Sequence, residues 1–116
     1  MLVDNSIKNI IIKFITGEEV ICKKIEDLGN SIKIQSPLTF VMAFNPEYPT
    51  QGEVSFTPWL VGSDFFTEHV VNKNSTITIT EPSETVNTKY NTALNTIVRS
   101  SSQKINQQTT ENKQLG

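Results

Sequence analysis

Side chains able to do covalent or metal chemistry are few and scattered in this chain. One histidine, His69, and one cysteine, Cys22, have no second His or Cys with which to build a metal site, a nucleophilic dyad or an internal disulfide. Carboxylates are paired only as Glu18-Glu19 and Glu26-Asp27, and neighbours on a strand point to opposite faces, so neither pair can share a proton. These residues argue against an enzyme and imply no cofactor and no metal. The most distinctive short stretch is the turn Asp27-Leu28-Gly29-Asn30, in which Gly and Asn are the residues that best supply left-handed angles and Asp is a common turn residue.

The elements that must position these residues follow from patterning. Ile10, Ile12 and Phe14 alternate with Ile11, Lys13 and Ile15, which makes both faces of a first strand largely apolar and places it inside a sheet. Thr16-Gly17-Glu18 forms a turn and a second strand follows from Glu19 to Glu26. After the Asp27–Asn30 turn a third strand starts at Ser31; Pro37 bends or bulges it, and Leu38, Phe40, Met42 and Phe44 then resume an alternation. Asn45 to Gly52 reads as a loop. A fourth strand runs from Glu53 to about Val61 with Pro58 inside it, Gly62 to Asn74 has no clear pattern, and Thr76 to Thr80 is a fifth strand.

Pro82 ends that strand, and Val86, Tyr90, Ala93, Leu94, Ile97 and Val98 fall on one stripe of an amphipathic helix over 82–100. The helix is expected to pack on or beside the strand-rich body of residues 1–81. Residues 101–116 hold only Ile105 and Leu115 as sizeable apolar groups and read as a polar tail or a frayed helix extension.

At 116 residues and a formal charge of −2, with a pI near 5.3, the chain suits a single domain and lacks the basic balance of most nucleic-acid binders. The absence of a long apolar run excludes a membrane span, and the single cysteine suggests an intracellular protein. Lys23, Lys24 and Lys33 share their hairpin with Glu18, Glu19 and Glu26, which makes a mixed solvated face. Trp59, Phe65 and Phe66 form the largest aromatic cluster; packing against the C-terminal helix is the simpler expectation, and a partner-docking surface the other. Tyr48, in the Pro-rich loop, is expected to be exposed.

Residues 8–36, through Ile12, Phe14, Gly17, Val20, Asp27, Asn30, Ile32 and Ile34, resemble the first signature motif of the Sm and LSm family. The resemblance implies an SH3-like small barrel of five strongly bent antiparallel strands, here with a C-terminal helix, and a cyclic homo-oligomer in which strand four of one subunit pairs with strand five of the next. The divergent form is similar to Sm-like proteins carried by marine phages, which implies a cytoplasmic, host-cell setting. The family's second motif is poorly matched: Lys73 stands where an arginine is usual, without the glycine. Carried over, Asn30 would read a base, Lys73 would supply the cation, Asp27 would border the turn, and the stacking position would fall on Leu28 or Gly29. A ring that serves as a scaffold or protein-interaction module without RNA is the alternative.

The flat, uncharged run Thr76–Thr80 points to oligomerisation independently. Left as an open edge it would invite pairing with another chain, and a closed ring would cover it.

Overall fold

The computed structural model describes residues 7–44, 46–48 and 52–115, with side chains described as far as residue 99. Among them six strands form one antiparallel sheet: β1 Asn9–Phe14, β2 Glu19–Asp27, β3 Ser31–Phe44, β4 Gly52–Pro58, β5 Glu68–Asn72 and β6 Thr76–Thr80. A 3-10 turn, Lys73–Ser75, links the last two, and helix α1 spans Glu84–Leu115. The sheet order is β4-β3-β2-β1-β6, with β5 also paired to β3. No pairing among the described residues joins its ends, so the sheet is open.

β1 lies between β2 and β6, which its two apolar faces require. Ile10, Ile12 and Phe14 join Val20, Cys22, Ile32, Ile34 and Val71 in one core on the inner face of the sheet. Ile11 turns to the other face, where Ile21, Leu38, Tyr90 and Leu94 form a second core under α1. Fully burying an Ile, Leu or Val side chain contributes roughly 1.5–3 kcal/mol. The two cores are therefore the main reason the chain folds.

β3 serves both cores by changing face. Ser36 has φ 56°, a left-handed angle that a residue with a Cβ rarely takes. The β2–β3 register shifts between the pairs Ile21↔Leu38 and Lys23↔Gln35, so β3 carries an extra residue there. Such a bulge inverts the alternation. Ile32 and Ile34 point into the inner core, whereas Leu38 and Phe40 point toward α1. The Tyr90 hydroxyl donates to the Ser36 carbonyl at 2.7 Å, satisfying a buried acceptor at the bulge.

Two departures from the sequence reading involve the far side of β3. The fourth strand stops at Pro58 rather than Val61, and the unpatterned stretch contains a strand, β5, so there are six strands and not five. Ser31–Gln35 of β3 pairs with β5 and Leu38–Phe44 pairs with β4, while β2 pairs along the other side as far as Thr39. β4 and β5 are thus one interrupted strand, with residues 59–67 looping out opposite the Ser36 bulge. β5 escaped detection because Val70 and Val71 are adjacent in a five-residue strand whose neighbours are mostly polar.

The helix also differs from its predicted extent. It starts at Glu84, with the Ser83 hydroxyl accepting from Val86 N–H at 3.3 Å. It passes Ser100 and continues to Leu115, through a stretch with no Gly or Pro to stop it. The Ile105 and Leu115 side chains and the residues 45 and 49–51 of the predicted loop lie outside those described. Its N-terminal part is tied to the sheet by carboxamides: Asn9 Nδ2 donates to Asn87 Oδ1 at 2.7 Å and to Asn91 Oδ1 at 3.0 Å, and Lys23 Nζ donates to Asn9 Oδ1 at 3.2 Å.

Candidate nucleic-acid interface

The turn between β2 and β3 is built from its side chains inward. Asp27 Oδ1 accepts from Gly29 N–H at 2.9 Å, an Asx turn, and Leu28 N–H donates to the Ser31 carbonyl at 2.9 Å. Gly29 takes φ 89°, where a residue with a Cβ is strained. Asn30 does not take a left-handed angle, since Ser36 is the only described residue other than glycine with positive φ. The turn therefore draws its unusual geometry from Gly29 and Asp27, and the identity of Asn30 is not explained by backbone need.

The turn before β6 is held separately. Asn72 caps it by accepting from Asn74 N–H at 2.9 Å, and the Thr76 hydroxyl donates to the Lys73 carbonyl at 2.7 Å. β5 carries this turn to the start of β3, because Asn72 pairs with Ser31.

The two turns, far apart in sequence, then meet. Lys73 N–H donates to the Asn30 carbonyl at 2.9 Å, and Lys73 Nζ lies 2.8 Å from Asp27 Oδ1. The side-chain hydrogen bond from Lys73, helped by the Gly29 N–H, holds the Asp27 carboxyl below its usual value. No hydrogen bond among the described residues engages the Asn30 carboxamide, which stays exposed. Leu28 is 44% exposed beside it. The corner so formed presents an amide able to donate and accept, an apolar side chain, and an ammonium already paired with a carboxylate.

All five residues singled out in the sequence, Asp27, Leu28, Gly29, Asn30 and Lys73, come together here. Their roles differ from one another. Asp27 and Gly29 are committed to the turn, whereas Asn30 and Leu28 have side chains free for contact.

Trp59 does not pack on the helix as expected. Its ring stacks on Phe14 with centroids 5.2 Å apart and planes at 18°, and its Nε1 donates to Glu18 Oε2 at 2.5 Å. The excursion thus covers the inner core at the β1–β2 turn. Phe65 is the member of the aromatic cluster that reaches the core under α1. Tyr48 is 57% exposed, in line with its loop position.

Burial raises the Cys22 thiol to about 12, so it stays protonated and unreactive in the folded chain. No group of three or more His, Cys, Asp or Glu among the described residues is placed to hold a metal ion. No described helix is long and apolar enough to cross a membrane. No family model matches the chain, and no curated protein matches it either.

Proposed function

We propose that this chain is an Sm-like subunit, a bent barrel in which β4 and β5 together make the fourth strand and β6 the fifth, that assembles into a homo-oligomeric ring and binds single-stranded RNA at the Asn30–Lys73 corner. The observation that carries this reading is the meeting of the two turns. Asn30 is held by its own carbonyl against Lys73, yet its carboxamide is left for a ligand. A base splayed out of a single strand can be read by such an amide, with Leu28 offering an apolar face and Lys73 a cation near the phosphate.

Two open sheet edges support the ring. Among the described residues β5 pairs only with β3 and β6 only with β1. Each is five residues long and exposes an apolar side chain, Val70 at 62% and Ile77 at 64%. Pairing β5 of one subunit with β6 of the next covers both edges and both side chains. The sequence reading assigned the first of these edges to Glu53–Val61; the collinear β5 is the better partner, because it is matched to β6 in length and in exposed apolar content.

Short A-rich and U-rich RNAs titrated across a salt series test the site. Asn30→Ala should weaken binding by about tenfold, and Lys73→Ala should flatten the salt dependence by about one counterion per site. Affinity unchanged by Asn30→Ala would remove the site. Native mass spectrometry should show a closed oligomer of about five to seven subunits, and a monomer would remove the ring.

A ring that binds protein rather than RNA is favoured by one feature of the same corner. The Lys73 ammonium is already neutralised by Asp27, and a phosphate must break that pair to reach it.

A further inference from the structure

Where β1 begins and α1 starts, a polar cavity has a floor whose orientation is set from beneath. Lys23 is 7% exposed and Asn9 9%. An ammonium can only donate, so Asn9 turns its Oδ1 to Lys23 and its Nδ2 to the helix. That one nitrogen donates to Asn87 Oδ1 and to Asn91 Oδ1, so both helix carboxamides present their oxygens inward and lie side by side. Their Nδ2 groups are thereby turned away from Asn9.

Those two amino groups are the unused end of the relay. Among the described residues no acceptor takes their hydrogens. No buried side-chain nitrogen among those residues lacks a partner, so both groups are open to solvent. They line a cavity of about 580 Å³, the size of a small-molecule site. Its chemistry on this wall is donation, which calls for a ligand oxygen.

The carboxylates beside it narrow the choice. Glu81 is held by Lys8, whereas Glu84 makes no ion pair among the described residues. Glu84, Asn87 and Asn91 follow one another on one stripe of α1, and side chains three or four apart on a helix lie about 5–6 Å from one another at Cβ. A phosphate dianion attracted to the amino groups would be repelled by Glu84. A small molecule with an anionic end and a cationic end close together meets both walls.

We propose that this cavity binds a free α-amino acid as its zwitterion. The carboxylate accepts from Nδ2 of Asn87 and Asn91, and the ammonium donates to Glu84. Lys23 and Asn9 are positioning residues that fix which way the two amides face. The amino-acid side chain takes the remaining space, bordered by Ile7 and Pro82. This site shares no residue with the Asn30–Lys73 corner or with β5 and β6, so it stands or falls independently of the ring and of RNA.

The test uses the full chain, isotopically labelled, because the Asn side-chain NH2 signals report directly on the groups invoked. L-Alanine should shift the Asn87 and Asn91 signals saturably, with a dissociation constant of about 1 mM, reasonable for so small a ligand. Propionate, which lacks the ammonium, and ethylammonium, which lacks the carboxylate, should each bind at least about tenfold more weakly, and inorganic phosphate no better than propionate. Asn91→Asp keeps an oxygen for Asn9 but replaces the outward donors with an acceptor, and should weaken L-alanine about tenfold; unchanged backbone shifts in β1 and β2 would show that the fold is intact. Glu84→Gln, at an exposed position, should also weaken L-alanine about tenfold while leaving propionate no weaker. No saturation by about 50 mM L-alanine, propionate, ethylammonium or phosphate binding as tightly as L-alanine, or unchanged affinity in either variant would each overturn the proposal.

Discussion

Ser31–Gln35 and Leu38–Phe44 belong to one strand, yet the bulge between them divides two kinds of surface. The first segment has β2 on one side and β5 on the other, and it turns Ile32 and Ile34 into the inner core at 2% and 0% exposure. The second keeps β2 only near its start, pairs with β4, and ends with Met42 and Phe44 in the open. The exposed half is the more apolar of the two, so composition does not decide which half is buried. What separates them is which side of the sheet the side chains face after Ser36, and how far α1 reaches. An alternating pattern therefore tells which residues share a face without telling whether anything covers that face.

Substitution within each half gives the largest expected contrast. Ile34→Ala should cost about 2–5 kcal/mol of unfolding free energy, because Ile34 is fully buried and its truncation leaves a cavity. Met42→Ala should stay within about 0.5 kcal/mol. Urea denaturation of the two variants measures this, and equal losses would mean that the outer half is covered in solution. The bulge itself comes next. Tyr90→Phe removes the hydroxyl that meets the buried Ser36 carbonyl and should cost about 1–3 kcal/mol, with faster amide exchange around Ser36. A silent substitution would show that the carbonyl has another donor.

The smallest effect belongs to the turn at which the inner half begins. The folded-state value of Asp27 is lowered, so its contribution is present above the unfolded value of 3.8 and is lost as pH falls through the lower folded value. Amide exchange at Gly29 and Lys73, corrected for intrinsic rates, should lose protection below about pH 4, and Asp27→Asn should abolish that transition. A pH-independent profile would mean that the turn does not rely on the ion pair.

How much of this was legible can be judged residue by residue. β1, the Gly17 and Gly29 turns, the bend at Pro37 and the stripe containing Tyr90 and Leu94 all follow from local chemistry: two-sided apolarity, tolerance of positive φ, a missing N–H and helical spacing. The Asp27–Asn30 turn follows from its Gly and Asn, whereas its meeting with Lys73 depends on β5 bringing that residue to the start of β3. The face change at Ser36 was not, since serine has no special claim to a left-handed angle and only the register reveals it. β5 was hidden by its brevity. The Asn9, Asn87 and Asn91 cluster was hidden by distance, because three ordinary carboxamides on two elements give no signal until the helix is laid on the sheet. For Trp59, aromatic content predicts packing against a core but not which of the two cores receives the ring.

The gap between β4 and β5 has a consequence for how this frame can vary. The chain leaves the side of β3 opposite Leu38 and returns opposite Gln35, so the excursion begins and ends almost at the same point. Trp59 anchors its departure through Phe14 and through its N–H to the Pro37 carbonyl at 3.3 Å, and Phe65 anchors its return. Between those anchors, residues 60–64 can be lengthened for about 0.6 kcal/mol per doubling of the loop. The interrupted strand is in effect a splice point, where a label or a foreign epitope can be carried without entering either core.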